Sequence, residues 1–127
     1  MKLGDLLAEL REDRGLTQLE LSEQLHISNS SISAYETGAR LPNLETLLAF
    51  AEYFDVTTDY LLGLTDNPIS PSVMAEEYCN GVRMDALISM LQELSSAQRA
   101  AILLVIQNMK FYAEISKKAA MEGKEKP

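Results

Sequence analysis

The sequence is poor in the residues that metal sites and disulfides require. Its 127 residues include one cysteine, one histidine and no tryptophan. A single cysteine cannot close a disulfide within the chain, and one cysteine with one histidine falls short of a zinc ligand set. We therefore expect no bound metal, and the sparse cysteine favours a cytoplasmic location.

Long apolar runs and catalytic motifs are also missing. No stretch approaches the roughly 18 consecutive apolar residues of a membrane-spanning helix. The N-terminal residues MKLGDLLAEL predict an amphipathic helix rather than a signal peptide. A glycine-rich phosphate loop and a nucleophile elbow are absent as well. These absences argue against a membrane partner, a cofactor and an enzymatic function.

Basic residues are scarce in the first half of the chain. The formal net charge is −8 at pH 7; residues 1–66 hold four basic and twelve acidic side chains, whereas residues 67–127 hold seven of each. A DNA-binding domain usually has a basic face. The acidic balance therefore predicts feeble non-specific binding to DNA and keeps open a function in binding another protein.

The residues that are present predict five helices within residues 1–64. Apolar residues recur at the spacing of one helical face in the first helix, at Leu3, Leu6, Leu7 and Leu10. On the fourth helix the residues that we expect to be buried are Leu44, Leu47, Leu48, Ala51 and Phe54. Residues able to cap the later helices are Thr17, Ser28 or Asn29, Asn43 and Thr57. Thr17 and Glu20 also have the spacing of a capping box.

The second half of the chain predicts a helical hairpin. Two prolines within TDNPISPS indicate a linker over residues 65–72. Apolar residues then recur at helical spacing at Met84, Leu87, Ile88, Leu91 and Leu94. A second capping box, Ser95 with Gln98, begins a long helix that we expect to end near Ala120. Residues 73–120 are thus predicted to be a helical region, and residues 121–127 a disordered tail.

Residues 2–64 resemble the phage-repressor-like Cro/CI (XRE) helix-turn-helix family. The residues that carry the resemblance are Thr17-Gln18, Ile32-Ser33, Tyr35-Glu36, Gly38, Pro42 and Asp59-Tyr60-Leu61-Leu62. Two positions depart from the family pattern, since Ser22 stands where alanine is usual and His26 where glycine is usual. The resemblance implies an all-α protein of bacterial or phage origin, whose residues 1–64 form a five-helix lambda-repressor-like DNA-binding domain.

The same resemblance implies which residues touch DNA. Helix 29–37 would lie in the major groove. The implied base contacts are Asn29, Ser30, Ser33 and Ala34. The implied contacts to the DNA backbone are Thr17, Gln18, Thr37, Arg40 and Asn43. Arg11 and Glu36 are implied to form a structural ion pair that fixes the pose of this helix.

The C-terminal helices predict self-association. Residues 102–106 are consecutive and apolar, so they point in every direction around a helix and one partner helix cannot cover them. We therefore expect a homodimer through this region. The predicted interface residues are Leu87, Leu91, Ile102, Leu104, Val105, Ile106 and Met109.

These features together predict a sequence-specific transcriptional regulator, most simply a dimeric repressor that binds double-stranded operator DNA and associates with the nucleoid. The alternative is an acidic protein-interaction module, such as an antitoxin or accessory regulator; a protein partner such as an antirepressor fits either function. The sequence leaves open the operator, the inducing signal, repression against activation, dimer against tetramer, and the role of Cys79.

Overall fold

The computed structural model describes residues 2–124 and has, within this range, eight α-helices and one two-stranded sheet. The helices are α1 (Leu3–Asp13), α2 (Gln18–Leu25), α3 (Asn29–Thr37), α4 (Leu44–Phe54), α5 (Thr58–Leu61), α6 (Pro71–Ala75), α7 (Met84–Gln92) and α8 (Ser96–Lys124). The strands β1 (Glu77–Cys79) and β2 (Val82–Arg83) pair with each other. The predicted all-α, lambda-repressor-like fold is confirmed. The chain divides into two compact units, one up to Glu77 and one from Tyr78.

In the first unit, side-chain caps begin helices α2 to α5 and residues in the left-handed conformation end them. The caps lie where the sequence predicted. Thr17 and Glu20 form both hydrogen bonds of the capping box, at 3.1 and 2.7 Å. Ser28, rather than Asn29, caps α3 through the backbone N–H of Ser31. His26 adopts φ 55°, the left-handed conformation for which glycine is the usual residue. The turn between α2 and α3 therefore forms without glycine.

The core of the first unit is centred on α4. Phe50 and Leu7 are each 1% exposed, and the other buried apolar residues are Leu6, Leu21, Ile32, Leu47, Ala51, Phe54, Val56 and Leu61. The prediction that Leu44 and Leu48 are buried is wrong, since they are 71% and 46% exposed. Phe50 packs against Tyr35 and Phe54. Leu48 lies beside the buried face of α4 rather than on it, and Leu44 is the first residue of the helix, at the end of that face.

The end of the segment predicted to be a linker folds back as a short helix. Ser70 caps α6 and Pro71 occupies its first turn, where a missing N–H costs nothing. Ser72 donates to the Asp55 carboxylate from its hydroxyl, and from its backbone N–H at 3.3 Å. The hydroxyls of Ser72 and then Ser70 lower the pKa of Asp55 below its usual range. Residues 70–75 are therefore attached to the first unit, and the domain limits 1–64 and 65–72 remain predictions.

The second unit contains the predicted hairpin of α7 and α8. Ser95 and Gln98 form the second capping box, at 2.9 and 3.2 Å. The strands were not predicted; Asn80 and Gly81 turn between them with φ 50° and 76°, the signature of a tight β-hairpin. Helix α8 reaches Lys124 rather than Ala120, because residues 121 and 122 are good helix formers. Residues 125–127 of the predicted tail lie outside the described residues.

One glycine sets how closely α1 approaches α3. Gly4 is buried, and a Cβ at this position would lie 2.4 Å from the carbonyl oxygen of Glu36 and 2.6 Å from that of Tyr35. Those oxygens belong to helical backbone, which cannot swing aside as a side chain does. The C-terminal end of α3 therefore rests directly on the backbone of α1.

Gly4→Ala is expected to destabilise the protein. The methyl group forces α1 and α3 apart, and overpacking of this kind costs about 1–3 kcal/mol. Thermal unfolding monitored by circular dichroism measures the effect. Gly123→Ala is the matched control, because the added Cβ there meets no atom within 4 Å apart from its own stretch of helix. Equal melting temperatures for the two variants would contradict the close contact.

Candidate nucleic-acid interface

Helix α3 presents one polar face because its opposite face is buried. Ile32 is 1% exposed, and the Tyr35 ring meets Phe50 edge-on with 6.1 Å between centroids. On the outer side, Asn29 and Ser30 are exposed, while Ser33 and Ala34 are half-buried. The four residues predicted to contact bases thus share the outer face of one helix.

Two of these side chains have no competing partner in the protein. Within residues 2–124, the side chains of Asn29 and Ser33 make no hydrogen bond to another residue. The Asn29 amide offers one acceptor and two donor hydrogens, which match N6 and N7 of adenine in the major groove. A serine hydroxyl both donates and accepts, so it discriminates less between bases.

Hydroxyl groups and Arg40 cluster at the start of α3. The Ser28 hydroxyl donates to Ser31 Oγ at 2.7 Å and lies 3.2 Å from Ser30 Oγ. The Arg40 guanidinium donates to the Ser31 hydroxyl and lies over the Tyr35 ring, 5.2 Å from its centroid. Arg40 is therefore held along α3 in an exposed position. Ser31 was missed in the sequence, although the run Ser28 to Ser33 was rich enough in hydroxyls to suggest such a cluster.

Glu36 joins α1, α2 and α3. Arg11 Nε donates to Glu36 Oε1 at 2.7 Å, and Arg11 Nη2 donates to Oε2 at 3.1 Å. Gln18 Nε2 donates to Glu36 Oε2 at 2.8 Å. The Arg11 and Glu36 side chains are 12% and 7% exposed. The hydrogen bond to Glu36 raises the pKa of Arg11, so the guanidinium stays charged.

The remaining residues that were predicted to contact the DNA backbone lie at the ends of α2, α3 and α4. The side-chain nitrogen of Gln18 donates to Glu36. The backbone N–H groups at the start of α2 that the capping box does not use are therefore the simpler phosphate donors there. Thr37 donates to the Ala34 carbonyl at 3.3 Å, and Asn43 accepts from the Thr46 N–H at 2.8 Å. Both side chains are exposed.

Arg14 stabilises the fold of the first unit. Its guanidinium donates to the Tyr53 carbonyl at 2.8 Å and lies over the Tyr53 and Phe54 rings, at 5.1 and 5.3 Å from their centroids. Arg14 and Arg11 are thus both engaged by protein groups. Of the four basic residues in this half of the chain, Arg40 is the one placed along α3 in an exposed position, so the surface beside α3 has little positive charge.

The described residues contain no group of three or more acidic, histidine or cysteine side chains arranged to hold a metal ion. Among the helices between residues 2 and 124, none combines the length and apolar character needed to cross a membrane.

Comparison with known proteins relates the first unit to helix-turn-helix proteins. A family model described as helix-turn-helix matches residues 7–61. Over 63 residues the chain is 46% identical to the HTH-type transcriptional regulator ImmR of Bacillus subtilis (strain 168), covering 50% of this chain and 50% of ImmR. The chain thus spans about half the length of that relative.

Two further similarities extend the comparison. The chain is 26% identical over 109 residues to the cryptic phage CTXphi transcriptional repressor RstR of Vibrio cholerae, covering 86% of this chain and 88% of RstR. The crystal structure of the P22 c2 repressor with synthetic operator 9T is 31% identical, covering 49% of this chain and 94% of that one, with a TM-score of 0.47.

Removal of Arg11 is expected to destabilise the first unit. Arg11→Met leaves Glu36 nearly buried without its cation, at a cost on the order of 3 kcal/mol. Urea unfolding gives the change in free energy. Arg83→Met is the control, because the Arg83–Asp85 pair is 57% and 47% exposed and such pairs contribute at most about 1 kcal/mol. Equal losses of unfolding free energy in both variants would show that the Arg11–Glu36 pair stabilises the protein no more than an exposed pair does.

Proposed function

We propose, on the premise that residues 7–61 are a helix-turn-helix domain of the phage-repressor-like XRE family, that this chain is a DNA-binding transcriptional regulator. The observation that carries the proposal is the polar outer face of α3, where the Asn29 and Ser33 side chains have no hydrogen-bond partner within residues 2–124. The relatives are named as transcriptional regulators, which are not enzymes.

In this function α3 lies in the major groove and discriminates between bases. Asn29 forms a bidentate pair with an adenine, and Ser30, Ser33 and Ala34 follow along the groove. Arg40, Thr37 and Asn43 contact phosphates on either side of α3, together with the start of α2. The cluster around Glu36 holds α3 rigidly on α1 and α2, so that these contacts form together without further ordering.

We further propose repression by a homodimer. One helix-turn-helix with few cations binds weakly, whereas a two-fold dimer doubles the contacts and places two α3 helices in successive major grooves, about 34 Å apart. The similarity to RstR, named as a repressor, extends over 86% of this chain and so includes α7 and at least the first part of α8. Bound dimers would then block access of the transcription machinery to the operator.

A gel-shift experiment with DNA flanking the protein's own gene tests the proposed function. The full chain should retard a specific fragment at concentrations that leave unrelated DNA of equal length unbound. Absence of any specific retardation would contradict DNA regulation. It would favour the alternative, an acidic module that binds a protein such as an antirepressor.

Asn29→Ala is expected to weaken specific binding by about 1–3 kcal/mol and to relax the preference at one base pair. Fluorescence anisotropy with operator variants substituted one base pair at a time measures both effects. Glu23→Ala is a control, because Glu23 is an exposed residue of α2 outside the proposed contacts. Uniform weakening on all sequences would mean that Asn29 does not contact a base.

The salt dependence of binding should be shallow. With Arg40 and one further basic contact per subunit at most, a dimer neutralises about two to four phosphates, so log K against log salt should fall with a slope of about −2 to −4. Anisotropy titrations at several salt concentrations give this slope. A slope near −10 would require a basic surface that the first unit does not have.

A further inference from the structure

The end of α7 contacts the first turns of α8. Arg99 donates to the carbonyl oxygens of Leu91 and Gln92 at 3.0 and 2.6 Å, which fixes the end of α7 against α8. Residues of α8 that line the shallow hollow beside α7 are Arg99, Ile102, Leu103 and Ile106. These four share one face, because they follow the i, i+3, i+4, i+7 spacing of a helical face. Residues beyond 106 continue as a single helix.

The opposite side of α8 carries a second stripe at alternating spacings of four and three residues. Its members are Ala97, Ala101, Leu104, Asn108, Phe111 and Ile115. This is the heptad spacing of a coiled coil, with Ala101, Asn108 and Ile115 at a positions and Ala97, Leu104 and Phe111 at d positions. Leu104, Phe111 and Ile115 are 58%, 60% and 48% exposed. We name this set the heptad stripe.

The composition of the heptad stripe points to a second copy of this chain as its partner. A β-branched residue at an a position, here Ile115, and leucine at d, here Leu104, are the pattern that favours two parallel helices. The small side chains of Ala97 and Ala101 let two helix backbones approach closely at the start of α8. Val105 and Tyr112, which follow d positions, add apolar surface beside the stripe.

Asn108 is the polar member of the stripe between Ala97 and Ile115, and it selects the orientation. In a parallel pair each a residue faces the same residue of its mate, so two Asn108 amides can hydrogen-bond to each other. In an antiparallel pair an a residue faces a d residue instead, and the amide would be buried against an apolar side chain without a partner. The parallel arrangement satisfies the amide.

We propose that α8 pairs in parallel with α8 of a second copy along the heptad stripe, with Asn108 facing Asn108 and fixing a two-stranded assembly. This inference deepens the proposed dimer and rests on it. It also divides the predicted interface residues: Leu87, Leu91 and Ile102 are half-buried and line the hollow between α7 and α8, whereas Leu104 belongs to the stripe. Phe111 and Ile115 are added.

Disulfide formation in the full chain tests the register. In a Cys79→Ser background, Asn108→Cys and Ile115→Cys should each give a disulfide-linked dimer under mild oxidation, because each cysteine faces its mate. Ala113→Cys should not, because residue 113 lies on the side of α8 away from the stripe. Cross-linking at residue 113 and at neither 108 nor 115 would overturn the stripe as the interface. Cross-linking at only one of residues 108 and 115, or at neither of them in a chain that sediments as a dimer, would overturn the parallel pairing.

Sedimentation of the unmodified full chain separates failure of this inference from failure of the proposed function. A dimer that cross-links only at residue 113 leaves the proposed dimer intact and rejects the stripe. A monomer at micromolar concentration rejects both the stripe and the dimer, while the gel-shift experiment still decides DNA binding.

A substitution at Asn108 tests its selective role. Asn108→Leu removes the polar constraint, so the assembly should become harder to dissociate on dilution and should include species larger than a dimer. Ser116→Leu, one residue beyond Ile115 and off the stripe, should remain a dimer. Light scattering after gel filtration measures both. An Asn108→Leu variant that stays strictly dimeric with unchanged dissociation would overturn the proposed role of Asn108.

Discussion

The three hydrogen bonds to Glu36 are the constraint on which the first unit depends. Arg11 from α1 and Gln18 from α2 converge on one carboxylate of α3 that is 7% exposed. A buried carboxylate without these donors would cost several kcal/mol, so α1, α2 and α3 are stable only in one mutual arrangement. Gly4 removes the one side chain that would hold α1 and α3 apart. A short helix of nine residues thereby acquires a fixed pose, which base recognition requires.

The two arginines of the first unit that are held by protein groups account for its low positive charge, which the proposed binding to DNA has to accommodate. Arg11 and Arg14 stabilise the fold through Glu36 and through the Tyr53 carbonyl and aromatic rings, so few positive charges are left for phosphates. Under the proposed function, long-range attraction to DNA would therefore be small, and affinity would depend on contacts made by α3 and on the proposed pairing of two subunits. Such a regulator would bind non-specific DNA weakly, because little of its affinity would come from charge. It would therefore discriminate well between specific and non-specific sites, even if its specific affinity were modest. Its association step would be sensitive to the stability of the dimer.

Local chemistry was the part of the structure that the sequence predicted best. Caps at Thr17, Ser28, Asn43 and Thr57 act over three residues, so their spacing alone locates the helix starts. The prediction for α4 included Leu44 and Leu48 and omitted Phe50, because the burial of Phe50 depends on its packing against Tyr35 from another helix. The attachment of Ser72 to Asp55 and the engagement of Gln18 by Glu36 join residues 17 or 18 positions apart, which periodicity does not reveal.

The proposed dimer would place two α3 helices in successive major grooves of one operator. Hydroxyl-radical footprinting of DNA flanking the protein's own gene measures this arrangement. We expect protected backbone positions on one face of the duplex, in two groups about one helical turn apart, or roughly 34 Å. A single protected group, or no protection at concentrations where the protein is folded and dimeric, would contradict it.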